Sequence, residues 1–324
     1  LKVTSRTSSF YFKGKNLPIQ EIGSQLNVST LLNGSVRLAG DKMRISIQLI
    51  DVEEDIHFWA ETFDRSVKDV FAVQDEISLL IADQLREYVG HLEIEDHLVE
   101  APRVTIDGYK EYLKARFHIL KMDKDNIRKG IEILLGITKS DPDFAWTYVG
   151  LNLGYTMLAA MGYESPMEAF TSAMQYLDKA IELDDSLPDV QIQLSHMKLL
   201  QDWDFKSTYE HLKKSFEIRP TVDYYQSMAS TLSAENKLNA AKHYIDIALQ
   251  MDPFSEINYH LKGFIYYLQR NYEKALELFE EGIRLKPDSI VSKLYYGQTL
   301  ILLGRAEESL RFYQEADQHM DCLL

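Results

Sequence analysis

The spacing of apolar positions changes twice along the chain. Over residues 18–26 (PIQEIGSQL), Ile19, Ile22 and Leu26 recur at helical spacing, and Asn27 reads as a helix stop. The period then drops to two: Met43, Ile45, Ile47 and Leu49 alternate with Arg44, Ser46 and Gln48, the pattern of a half-buried strand. Two β-rich runs, 29–39 and 42–51, meet across Gly40-Asp41, a turn-favouring pair that predicts a hairpin. A turn at Glu53-Glu54-Asp55 leads to a third strand, about 57–63. An amphipathic helix follows over 70–88, with Val73, Ile77, Leu80, Ile81 and Leu85 on one face. Leu1-Lys2-Val3-Thr4-Ser5 reads as a further strand; a domain opening in mid-strand predicts a piece of a larger protein. From Thr105 onward every segment has helical periodicity. The expected architecture is an α+β amino-terminal domain (a small sheet with helices, 1–90), a linker (91–104) and an all-α array (105–324).

The helical part repeats. Prolines close similar phrases at 220, 253 and 287: SFEIRP, ALQMDP and GIRLKP, separated by 33 and 34 residues. GITKSDP ends at Pro142, and AIELDD ends at Asp185 where a proline is expected. The unit over 256–288 carries Tyr259, Gly263, Tyr266, Ala275, Phe279 and Pro287. These match the tetratricopeptide motif W-x2-L-G-x2-Y…A-x3-F…P, with Tyr259 for the Trp and Lys262 for the Leu. The unit before it offers Tyr225, Ala229, Leu232, Ala241, Ile245, Ala248 and Pro253; the one after, Gly297, Leu300, Gly304, Ser309, Tyr313 and Ala316. The unit from about Asp143 carries Tyr148, Leu151, Tyr155, Ala173, Leu177 and Ala180. About six units fit, the second lengthened around 159–166 and the third interrupted by QDWDF at 201–205. Small residues let paired helices approach, large ones fill the gap to the next pair, and proline stops the second helix. A single pair cannot bury its apolar face, so pairs stack.

This part resembles the tetratricopeptide-repeat family over roughly 215 residues, which implies an α–α superhelix that binds polypeptides on a concave face. The first part resembles the TolB amino-terminal-like domain in SRTSSFYFKGK (5–15), IQEIGSQLNVSTLLNGSVRLAGDKMRISIQLID (19–51) and HFWAETFDRSVKDVFAVQDEIS (57–78). That family domain begins with a further strand and helix, so the resemblance implies a partial copy. It is found fused to tetratricopeptide repeats in bacterial proteins that begin with a class III adenylate or guanylate cyclase, or with a winged-helix regulator of the CadC type. The resemblance therefore implies the regulatory or sensory part of a bacterial signalling protein.

Composition narrows the chemistry. A formal charge of −15 over 324 residues opposes a nucleic-acid partner, whose phosphates need Lys and Arg. The single cysteine, Cys322, excludes an internal disulfide or a cysteine-built metal cluster. Residues 34–42 (GSVRLAGDK) lack the spacing of a phosphate loop and read as the hairpin turn. His91 and His97 stand six apart beside Glu93, Glu95 and Asp96, which suits neither a helical nor a strand-borne metal site. No catalytic arrangement, cofactor site or metal site emerges, and no apolar run is long enough to span a bilayer.

The remaining candidate is the face lined by the first helix of each pair. Alignment of the units places there Tyr109, Tyr112 and Arg116; Trp146, Val149 and Leu153; Ile192, His196 and Leu199; Gln226 and Ser230; His260, Phe264 and Tyr267; Leu294 and Gln298. Chaperone-binding members of the family hold a terminal carboxylate with a Lys/Asn/Arg clamp on this face. The matching positions here are Gln226, Ser230, His260, Phe264, Leu294 and Gln298, so that clamp is absent. The expected partner is a protein or peptide segment with apolar character, or another domain of the parent protein. A homodimer is the alternative: the repeats would be a platform for an upstream effector, with Tyr296, Leu300, Leu303 and Tyr313 as an uncovered apolar flank. A membrane-tethered parent and the choice between cytoplasm and periplasm stay open.

Overall fold

In the computed structural model, residues 3–89 and 104–317 are described, and the chain divides into two compact units, 1–106 and 107–324. The expected linker falls almost wholly on residues outside the described set, as do His91, His97 and Cys322.

In the first unit, the segment expected as an opening strand instead leads into a helix, α1 (Arg6–Tyr11). The Ser5 hydroxyl accepts a hydrogen bond from the Ser8 amide at 3.2 Å, so Ser5 is an N-cap rather than a strand residue. Helix α2 (Ile19–Leu26) ends as expected at Asn27, which adopts a left-handed φ of 54°. Strands β1 (Thr30–Ala39), β2 (Lys42–Asp51) and β3 (Ile56–Ser66) form an antiparallel sheet in the order β1-β2-β3. Gly40, at φ 61°, supplies the positive dihedral of the first turn. The second turn is held by the Asp51 carboxylate, which accepts from the Glu53 and Glu54 amides at 2.9 and 2.8 Å. The alternation in β2 is realised: Met43 and Ile47 enter a core with Phe63, Val73 and Ile77, while Arg44 pairs bidentately with Asp64 across the opposite face. Helix α3 (Val70–Val89) lays its apolar face on that core.

The second unit is helical throughout. Its described helices are α4 (Ile106–Ile119), α5 (Lys124–Ser140), α6 (Ala145–Ala160), α7 (Pro166–Leu183), α8 (Pro188–Met197) and α9 (Phe205–Ile218). They continue with α10 (Val222–Ala234), α11 (Leu238–Met251), α12 (Glu256–Leu268), α13 (Tyr272–Leu285), α14 (Ile290–Leu302) and α15 (Ala306–Asp317). Each successive pair is joined by a tight turn holding one left-handed residue: Met122, Gly162, Trp203, Asn236, Arg270 and Gly304 in turn. The QDWDF interruption of the third pair begins in a π-helical turn, Lys198–Asp202, that runs on from α8; Trp203 caps that turn and Phe205 opens α9. Pro142, Pro220, Pro253 and Pro287 each sit two residues past the end of a second helix, where they block its continuation.

The second helices share a buried triplet at positions i, i+4 and i+7. It is Ala173-Leu177-Ala180 in α7, Thr208-Leu212-Ser215 in α9, Ala241-Ile245-Ala248 in α11 and Ala275-Phe279-Gly282 in α13. A large side chain is flanked one turn either way by small ones, so the partner helix settles close against it. Gly263 in α12 shows how close: a Cβ there would lie 2.7 Å from the Phe279 ring. The junctions between pairs are sewn by polar side chains. Buried Asn258 donates to the carbonyls of Ala248 and Asp252 at 3.1 and 3.0 Å, satisfying the open end of α11.

Two substitutions separate these constraints. Gly263→Ala should lower the urea midpoint, with a loss of about 1–3 kcal/mol from overpacking against Phe279. Arg270→Gly relieves a left-handed side-chain-bearing residue and should raise stability by about 0.5–1 kcal/mol, read in the same unfolding experiment.

Candidate functional site

The stacking of pairs brings the first helices side by side. Between them runs a groove of about 310 Å³, walled by α4, α6, α8, α10 and the start of α12. Of the face residues expected from the sequence, Tyr112, Arg116, Trp146, Val149, Leu153, Ile192, His196, Gln226 and Ser230 line it. Met157, Ile257 and Leu261 are among the further apolar residues of the wall.

Seven expected residues lie outside this cavity, among them Leu199 and Leu294, both half-buried, the first just past α8 and the second on α14. Tyr109 packs its ring against Tyr112 and Phe144, with centroids 6.4 Å away in each case. His260 is wedged between Phe279 and Tyr295 at 5.6 and 5.4 Å. Phe264 and Tyr267 stack at 6.3 Å and close on the same Tyr295. These rings fill the seam between the fifth and sixth pairs, where the groove would otherwise continue. Gln298 is exposed on α14. The flank expected on the last pair also shifts. Leu300 is buried and Tyr296 packs on Phe312 at 4.6 Å, while Ile301, Leu302 and Leu310 are the exposed apolar residues. The Tyr313 side chain falls outside the described residues.

The polar groups of the groove are partly tied down. His196 Nε2 lies 2.8 Å from the Ser227 hydroxyl, and Gln226 Nε2 donates to Asn258 Oδ1 at 2.7 Å. Burial lowers the pKa of His196 to about 4, so its ring is neutral at pH 7. Burial also lifts the Tyr112 phenol far above its usual range.

Two groove acids were not singled out from the sequence. Asp189 opens α8 and Asp223 opens α10, and both line the cavity. Burial, and then the charge of Asp223, raises Asp189 to about 6, against the opposing pull of Arg116. Asp223 is exposed at the rim of the concavity, and the protein around its carboxyl raises its pKa as well. The available signal was their register: Asp189, Asp223 and Ile257 are 34 residues apart, one position of the repeat, on one wall. An acid in the first turn of a helix is ordinarily read as a solvated complement to the helix dipole, which conceals such a register.

The second unit is thus an α-solenoid of the tetratricopeptide type, a scaffold architecture, preceded by a small antiparallel sheet with helices. Residues 257–289 match the tetratricopeptide repeat family. The chain is 30% identical over 207 residues to "Putative adenylate cyclase 3" of Rhizobium meliloti, covering 62% of this chain and 35% of that protein. It is 28% identical over 98 residues to human tetratricopeptide repeat protein 13, covering 30% of this chain and 11% of that one. The chain therefore spans about a third of the bacterial relative and less of the human one. Among solved structures, human IFIT1, a dimer with m7Gppp-AAAA, superposes with a TM-score of 0.56 at 14% identity, covering 74% of this chain and 55% of that chain. That likeness is one of fold. Among the described residues, no group of His, Cys, Asp and Glu is arranged to hold a metal, and no helix is long and apolar enough to cross a membrane.

The buried histidine gives a pH signature. Because the folded pKa of His196 lies below its unfolded value near 6.5, its neutral form supports the fold above pH 6.5. That support is lost as the pH falls towards 4. Asp189 has the opposite sign: its raised pKa favours the fold at low pH, and that contribution is lost as the pH rises through about 6. His196→Gln retains a hydrogen-bonding partner for Ser227 but has no proton to gain. Denaturation at pH 7 and pH 4.5 should show the variant losing roughly 1–3 kcal/mol less than the parent across that interval.

Proposed function

We propose that the solenoid is a non-catalytic scaffold that holds a polypeptide segment in the α4–α12 groove, and that the two units form the regulatory or sensory part of a bacterial signalling protein. The observation that carries this reading is the groove itself. Trp146, Leu153, Met157 and Ile192 offer an apolar wall beside hydrogen-bonding and charged groups. That mixture suits an extended or helical segment better than a small polar molecule. The amino-terminal unit is read as a partial TolB amino-terminal-like domain over 1–90, with 91–104 as linker and about six repeats over 105–324. The similarity to a bacterial protein named for adenylate cyclase supports a cyclase-linked parent, and a CadC-type transcription regulator is the other effector that fits. The acidic balance of the chain and the two groove carboxylates oppose an RNA ligand of the sort bound by human IFIT1.

A photo-crosslinking residue at Met157 tests the scaffold reading. It should label a defined polypeptide in bacterial lysate, and Leu153→Glu, checked for an unchanged melting profile, should abolish the labelling. Absence of any labelled polypeptide, or equal labelling in the variant, overturns the reading.

A second reading draws on the last pair, where Ile301, Leu302 and Leu310 are 47%, 48% and 60% exposed. Such a flank suits a dimerisation platform for an upstream effector. Light scattering over a wide concentration range should then show a dimer that Leu310→Glu dissociates; a strict monomer rules it out.

A further inference from the structure

The carboxylates of Asp189 and Asp223 face one concavity with a single cation among its lining residues, Arg116 of α4. Arg116 acts on both acids electrostatically, but among the described residues neither Asp189 nor Asp223 is in an ion pair. The groups around them are few. Arg219, in the turn between α9 and α10, acts on Asp189; Asp252, just past α11, adds a further negative charge near Asp223. Tyr112 and His196 are neutral at pH 7. The lining itself therefore carries one uncompensated negative charge.

A second, independent observation lies on the same wall. Gln193 of α8, only 7% exposed, lines the cavity, and its Oε1 has no hydrogen-bond partner. A buried carbonyl oxygen without a donor is costly to maintain and marks a place where a donor is expected. The Gln193 oxygen is thus an open acceptor on the same wall as the two carboxylates, in a groove that also carries Trp146, Leu153 and Ile192.

We propose that the groove takes a lysine or arginine side chain carried by an otherwise apolar polypeptide segment, with Asp189, Asp223 and Gln193 as the groups that receive its N–H donors. This deepens the scaffold reading and rests on it. The ammonium or guanidinium supplies the charge that the acids lack and a donor for the Gln193 oxygen, while Trp146, Leu153 and Ile192 hold the apolar flanks. It reverses the polarity of a clamp for a peptide's carboxylate. Protonation of Asp189, whose pKa lies at about 6, removes one of the receiving charges, so binding is tighter at pH 7.5 than at pH 5.

The test is selection of phage-displayed random dodecapeptides on the immobilised full chain, followed by titration of one enriched peptide as a synthetic probe. The enriched peptides should share one Lys or Arg inside an apolar stretch. Replacing that residue by norleucine, or using Asp189→Asn/Asp223→Asn, should weaken binding by about tenfold to a hundredfold, with little further loss when both changes are combined. Asn is nearly isosteric with Asp, and melting curves verify the fold; Asp223→Asn alone, at the solvent edge of the groove, should give part of the loss. Peptides enriched without a basic residue, or bound equally by the double variant, overturn this inference and leave the scaffold reading standing. If no peptide is enriched above background, both fall.

Discussion

The close approach of the two helices within each pair is the constraint from which the rest of the second unit follows. It is set by the small–large–small triplets, Ala275-Phe279-Gly282 among them, and by the absence of a Cβ at Gly263. A pair held that close presents its remaining apolar surface to the next pair, which must repeat the arrangement to bury it. Regular stacking then aligns the first helices along one side. A groove is the geometric consequence, and residues one repeat apart, such as Asp189 and Asp223, become neighbours on its wall. The placing of side chains along the groove comes from the pitch of the array.

The polar atoms at the seams show what regularity costs and how it is met. A helix leaves carbonyls open at its end, and at the end of α11 the following first helix covers them with Asn258. Elsewhere a few buried atoms lack partners, including Gln193 Oε1 and His260 Nδ1. The two differ in setting. His260 is enclosed by rings that pack one pair on the next, whereas Gln193 borders open space in the groove. Burial acts on titratable groups in the same place with opposite signs, lowering His196 and raising Asp189. The groove at neutral pH therefore has a neutral imidazole beside two carboxyl groups that burial holds above their usual range.

Much of the fold was legible because its signals are local. The proline that follows α5, α9, α11 and α13 and the hairpin at Gly40 are properties of a few adjacent residues, and the structure realises them. The alternation of β2 was read correctly because a one-residue change of register would expose Met43 and Ile47. The opening segment was misread for a local reason too. Leu1, Val3 and Thr4 suggest a strand, but the Ser5 side chain caps the amides that follow and starts α1. The first helices of the repeats could be placed on one face by aligning units 34 residues apart.

What that alignment could not supply was volume. His196, Ser230 and Phe264 occupy one repeat position, as do Ile192, Gln226 and His260. In the third and fourth pairs these residues border the groove; in the fifth, the aromatic rings turn onto Phe279 and Tyr295 and close it. Equivalent register does not fix equivalent exposure, because exposure depends on what the neighbouring pair presents. The two groove acids were missed for the complementary reason: a first-turn Asp reads as solvated until a second wall faces it. The sequence by itself determined the fold class, a small sheet with helices and then an all-helical array, and the stops of several helices, since those rest on periodicity and on local stop signals. Only the tertiary structure decided where along the array the groove opens and which charges it encloses, because side-chain volume and desolvation are set by neighbours distant in the chain.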